Sequence, residues 1–192
     1  MEYRELNQTN GESRLLRSII YWITDITIVV AMAVFVVLFF CQKVSVTGHS
    51  MEPTLNIGEE VLIDQVRYQF SSPRRFDIIL FEKENNGANK TYIKRVIGLP
   101  GETVQIINET IYINGEPLEA QTALQRVTLS GLAQEPITLG EQEYFVLGDN
   151  RDSSEDSRFS NIGNVKQSEI CGVVWLRISP FENLGKITYP EE

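Results

Sequence analysis

The chain has 192 residues, 42% hydrophobic and 22% charged, which suits one ordinary domain with a core and argues against wholesale disorder. A formal net charge of −9 would repel a phosphate backbone, so no nucleic-acid partner is expected. Two cysteines (Cys41 and Cys171) and one histidine (His49) make no paired thiolate motif, disulfide framework or histidine-rich zinc site.

The first element is an apolar run. "SIIYWITDITIVVAMAVFVVLFFCQKV", Ser18 to Val44, can span a bilayer core of about 30 Å as a helix. Tyr21 and Trp22 stand where interfacial aromatics do, and Asp25 sits toward the start of the run. The run is longer than a signal-peptide core, and the bulky "FFCQKV" after it offers no small-residue cleavage site. Residues 18–43 are therefore expected to be a retained membrane anchor behind a tail, 1–17. Arg4, Arg14 and Arg17 precede the span and only Lys43 follows closely. That bias predicts a cytoplasmic N-terminus and an extracytoplasmic domain over 44–192 in a single-pass protein of the cell membrane.

After Val44 the pattern changes to short β-like runs. Glu60–Tyr68, Asp77–Lys83, Thr91–Gly98, Thr103–Asn108, Thr110–Gly115, Glu143–Asp149 and Ile170–Ile178 read as strands. Pro100-Gly101 and Asn114-Gly115 are turn signals, and a hairpin bend is expected at Asn108-Glu109. No sustained helical period follows the anchor. A mainly β domain is expected, with weakly patterned residues 116–140 as an excursion off its core.

Three segments carry candidate chemistry. "VTGHSMEPTL" places His49 next to Ser50. In an extended segment neighbouring side chains face opposite ways, so His49 is expected to point away from Ser50 and not to serve as its base. "TYIKRVIGLPGE" sets Lys94 among apolar residues. Burial disfavours a lysine's charged form, and a neutral amine can accept a serine proton. Arg95 next to it must face the other way. "GDNRDSSEDSR", Gly148 to Arg158, packs four acids, two arginines and three serines behind an apolar strand. It reads either as a solvated turn or as a loop of internal ion pairs with a serine able to orient a base.

With these segments in place, the sequence resembles the bacterial type I signal peptidases, which are serine proteases. The matching blocks are "SMEPTL", "RFDIILF", "YIKRVIGLPGE" and "GDNRDSSEDSR", in order behind an N-terminal anchor. The resemblance implies an antiparallel β-sheet catalytic domain of the signal-peptidase type. It implies Ser50 as nucleophile, Lys94 as general base, and Ser154 as the serine that hydrogen-bonds the lysine amine. It implies Asp149, Asp156 and Arg158 as shapers of the site, and Val44, Val46, Tyr92 and Ile93 as pocket residues for small substrate side chains. Gly48 stands where some members carry a serine of the oxyanion hole, so it offers no side-chain donor and the Ser50 backbone N–H carries more of that role. Phe76 replaces the glycine of an R-G-D block, and an ordinary extended backbone is expected there.

The activity implied is removal of signal peptides from secretory preproteins at the bilayer, close to the export machinery, with no metal or organic cofactor. A non-catalytic membrane-anchored envelope β domain is the alternative class. A self-cleaving repressor with a similar core would need a DNA-binding helix-turn-helix where this chain has its apolar run.

Overall fold

The computed structural model describes residues 2–85, 87–118 and 126–187. The chain divides into two compact units, Met1–Cys41 and Gln42–Glu192.

The first unit is one helix, α1 (Glu2–Phe40). Its segment Leu16–Phe35 is long and apolar enough to cross a membrane. Ile19, Tyr21, Trp22, Val29 and Met32 are all exposed, as on a helix that meets lipid all round. The hydroxyls of Thr24 and Thr27 donate back to the carbonyls of Ile20 (2.8 Å) and Ile23 (2.7 Å), which satisfies two polar groups inside the apolar segment. The helix stops at Phe40. Cys41–Lys43, expected to close the anchor, belong instead to the first strand.

The second unit is mainly β. Its elements are β1 (Cys41–Ser45), β2 (Glu60–Asp64), the short α2 (Arg67–Phe70), β3 (Ile78–Asn85), β4 (Ala88–Gly98), β5 (Thr103–Ile107), β6 (Thr110–Ile113), β7 (Glu116–Pro117), β8 (Ile137–Thr138), β9 (Glu143–Leu147), β10 (Val165–Lys166), β11 (Ile170–Ser179) and β12 (Gly185–Lys186). One sheet runs β1-β2-β11-β3-β4-β9-β10, with β12 on β11. A smaller sheet runs β7-β6-β5-β8.

The central strands are buried on both faces. In β3, Ile78 and Leu80 join Val46, Met51, Leu55, Val61 and Ile63 on one side. Ile79 and Phe81 join Val96, Tyr144 and Val146 on the other. That is why "IILF" is continuously apolar, as doubly covered strands are. The expected hairpin forms, with Asn108 and Glu109 both at positive φ between β5 and β6.

Two expectations change. The strand expected over Glu60–Tyr68 ends at Asp64, whose carboxylate accepts the N–H groups of Val66 and Arg67 (3.0 Å each) and turns the chain into α2. Of residues 116–140, expected to leave the core, 119–125 lie outside the described residues. The flanks are packed: β7 and β8 extend the small sheet, and Val127, Ala133 and Leu139 are buried with Ile97, Phe145 and Leu147 of the large one.

Candidate active site

The nucleophile candidate sits on a turn held from several sides. Met51 and Leu55, four residues apart, are fully buried, and the Leu55 N–H donates to the Met51 carbonyl (2.8 Å). The Asn150 N–H donates to the carbonyl of Ser50 (3.1 Å). Arg177 donates to the Thr54 carbonyl and pairs through Nε with the buried Glu59 (2.9 Å). Ser50 itself stays half-exposed between these anchors. The segment is thus a turn and not the extended stretch expected. The histidine is nonetheless occupied elsewhere, because His49 Nδ1 donates to Glu52 Oε1 (2.7 Å).

Lys94 arrives from β4. Its Nζ lies 2.7 Å from Ser50 Oγ, across 44 positions of sequence. The side chain is 3% exposed, beside Tyr92, whose ring centroid is 5.9 Å from Nζ. Burial brings the lysine pKa down from 10.5 to about 8, against the pull of the Asp156, Glu155 and Asp149 carboxylates, with Arg158 adding to the fall. Arg95 points to the opposite face, as alternation requires, and is equally buried.

The 148–158 loop is not a solvated turn, because two arginine–carboxylate forks fix it. Arg95 Nε and Nη2 reach Asp149 Oδ1 and Oδ2 at 2.7 and 2.6 Å, and its Nη1 donates to the Phe76 carbonyl at 2.9 Å. Arg158 Nε and Nη2 reach Asp156 Oδ1 and Oδ2 at 2.8 and 2.9 Å. Asp156 Oδ2 also accepts the Gly148 N–H (3.0 Å), and Arg158 donates to the carbonyls of Arg151 (2.7 Å) and Leu129 (3.1 Å). Asp149, Asp156 and Arg158 therefore stand around the Ser50 turn as a braced frame. The Arg95–Asp149 partnership is not visible in either motif alone.

Phe76 corrects an expectation. Its φ is 70°, in the left-handed region, and not extended. The strain is offset on both sides: its N–H donates to Val96 O (2.8 Å), its carbonyl receives Arg95, and the ring packs on the core. Phe accepts the glycine's geometry here because Arg95 and Val96 demand it.

Ser154 is buried near the pair, and a Cβ added at Gly148 would overlap its Oγ. Its hydroxyl has no hydrogen-bond partner among the described residues. The contact with the Lys94 amine expected of it is not formed in this state, where the amine is turned to Ser50. Gly148 escapes sequence reasoning altogether: a side chain there would overlap both Ser154 and the Ser50 carbonyl.

A cleft of about 350 Å³ runs to the pair. Val44, Val46, Gly48, Ser50, Tyr92, Ile93 and Lys94 are among the residues that line it. Ser45, Thr47, His49, Met51, Leu80, Thr91, Ser153 and Glu155 also line it and were not among the pocket residues expected. A hydroxyl in contact with a buried, easily neutralised amine, beside a cleft lined by both apolar and polar side chains, has the chemistry of a serine hydrolase acting on an extended chain.

The comparisons bear on that class. The family described as "Signal peptidase, peptidase S26" matches residues 19–179. The chain belongs to this signal peptidase family. It is 34% identical to a signal peptidase I of Leptolyngbya laminosa, over 96% of this chain and 89% of the relative. It is 35% identical to a signal peptidase I of Bacillus amyloliquefaciens, over 95% and 97%. It is 34% identical to signal peptidase I S of Bacillus subtilis (strain 168), over 88% and 94%. A solved signal peptidase I from Enterococcus faecalis V583 is 42% identical and covers 54% of this chain and 97% of its own, with a TM-score of 0.41.

Proposed function

We propose that the chain removes N-terminal signal peptides from exported preproteins through an acyl-enzyme, with Ser50 as nucleophile and Lys94 as general base. The observation that carries this reading is the 2.7 Å approach of Lys94 Nζ to Ser50 Oγ at the end of the cleft. Neutral Lys94 takes the Ser50 proton as Oγ adds to the scissile carbonyl. The proton passes to the leaving amine, and the mature protein departs with its new N-terminus. The signal peptide remains on Ser50 as an ester. Water then gives a proton to Lys94 and adds to the ester, and Ser50 recovers the proton as the signal peptide leaves.

The Ser50 backbone N–H serves the developing oxyanion, and Gly48 adds no side-chain donor. Val44, Val46, Tyr92 and Ile93 admit small residues ahead of the cut and exclude bulky ones by contact. Asp149, Asp156 and Arg158 hold the loop that bears on Ser50. We assign Ser154 to steadying the Lys94 amine once acylation has removed its hydroxyl partner.

The apolar helix keeps the enzyme at the membrane that also holds the substrate's apolar segment, which confines the search to two dimensions. The arginines at 4, 14 and 17 support a cytoplasmic N-terminus in the cell membrane, with the β unit outside. Preproteins emerge there, so the export machinery is a neighbour of the enzyme.

Cleavage of a preprotein in detergent tests the assignment. Ser50→Ala and Lys94→Ala should each abolish turnover, and His49→Ala should retain it. Turnover surviving Lys94→Ala would remove the lysine from its role.

A further inference from the structure

The cleft has a direction. Gln65 Nε2 donates to Gln42 Oε1 (2.8 Å) and the Val46 N–H donates to Glu59 O (2.9 Å), so the first strand runs antiparallel to β2. β2–β11, β11–β3 and β3–β4 are each antiparallel. The two segments that flank the cleft, 44–46 and 91–94, therefore run the same way and both end at the catalytic pair. The 148–158 loop touches Ser50 through Asn150 and lines the same cleft with Ser153 and Glu155. A substrate with its scissile carbonyl at Ser50, and its residues before the cut along Val44, Val46, Tyr92 and Ile93, has Ser153 and Glu155 of this loop beside the same cleft as its chain continues past the cut.

Among the described residues, the carboxylates around the catalytic pair are unequally engaged, and of them Glu155 lines the cleft, together with His49 and Lys94. Asp156 is neutralised by Arg158, Asp149 by Arg95, and Glu52 is held by His49. Asp152 accepts the Thr128 hydroxyl (2.5 Å) and does not line the cleft. Glu155 lies exposed in the cleft, and the bond to its carboxylate comes from the Asn161 amide, which orients it without cancelling its charge. Glu155 is also among the carboxylates whose field reaches Lys94.

We propose that Glu155 is a specificity-determining residue that reads the charge of the mature protein's first residues, favouring basic side chains there and disfavouring acidic ones. The inference rests on the serine-peptidase reading above. A carboxylate facing a side chain across a half-solvated cleft shifts recognition by about three- to tenfold per unit charge. That difference shrinks as salt screens it.

The test uses the full-length chain in detergent and signal-peptide substrates that differ only in the second mature residue: Lys, Gln or Glu. The wild type should cleave them with kcat/KM in the order Lys, Gln, Glu, with a Lys-to-Glu ratio, across two units of charge, of about tenfold or more at low salt that declines at high salt. Glu155→Gln should bring the ratio near one and Glu155→Lys should invert it. A wild-type ratio near one overturns the proposal, as does a ratio that persists in Glu155→Lys. Failure of the wild type to cleave any of the three overturns the peptidase reading itself, and the proposal falls with it.

Discussion

Gly148 touches Ser50 in space and Gly48 lies two residues before it, under opposite constraints. A Cβ at Gly148 would overlap the Ser50 carbonyl and Ser154 Oγ, whereas one at Gly48 would meet nothing within 4 Å. Gly148→Ala should therefore displace the nucleophile and lower kcat by more than about tenfold, since small misplacements of reacting groups are costly. Gly48→Ala should change kcat by less than about twofold, and Gly48→Ser should raise it if its hydroxyl reaches the oxyanion. Peptide cleavage by the three variants, with thermal melts to check folding, measures this directly. At this scale the Ser50–Lys94 contact is legible in the sequence because its residue types and flanking motifs are distinctive. The left-handed Phe76 is not, since its conformation is imposed by Arg95 and Val96 and not by its own preference. The unengaged hydroxyl of Ser154 is not legible either, because it depends on where the Lys94 amine turns.

Among the elements, β4 decides most. It sends Lys94 to the cleft face and Arg95 to the other, so one strand supplies the proposed base and braces the loop that contacts Ser50. The Arg95–Asp149 pair is almost fully buried. Asp149→Asn would remove the Asp149 charge from beside a buried guanidinium and should cost about 3–5 kcal/mol. Replacing both residues with apolar ones of similar volume should recover stability while impairing cleavage, because the loop loses its position. Denaturant unfolding of the single and double variants checks the first part, and kcat the second. The long strands are legible from their apolar runs, and the hairpin from its turn residues. The two-residue strands β7, β8, β10 and β12 are not, because so short a pairing carries no period and is set by its tertiary partners.

At the level of the whole molecule, an apolar helix and a β unit with its own core occupy separate stretches of chain. A chain beginning at Gln42 should unfold cooperatively and cleave short peptides at near wild-type kcat, yet process membrane-inserted preproteins about tenfold or more slowly, since tethering sets the effective concentration. Vesicle-based processing compared with peptide cleavage measures the gap. The chemistry proposed for the β unit, in turn, depends on one buried amine being neutral. With the Lys94 pKa lowered to about 8, the base is mostly protonated at pH 6 and mostly free at pH 9. The most direct test is the pH dependence of kcat/KM for a signal-peptide substrate, measured on the wild type and His49→Ala. The rate should fall about tenfold per pH unit below an inflection near 8, identically in both proteins. An inflection near 6.5 in the wild type that disappears in His49→Ala would contradict the account and make the histidine the base.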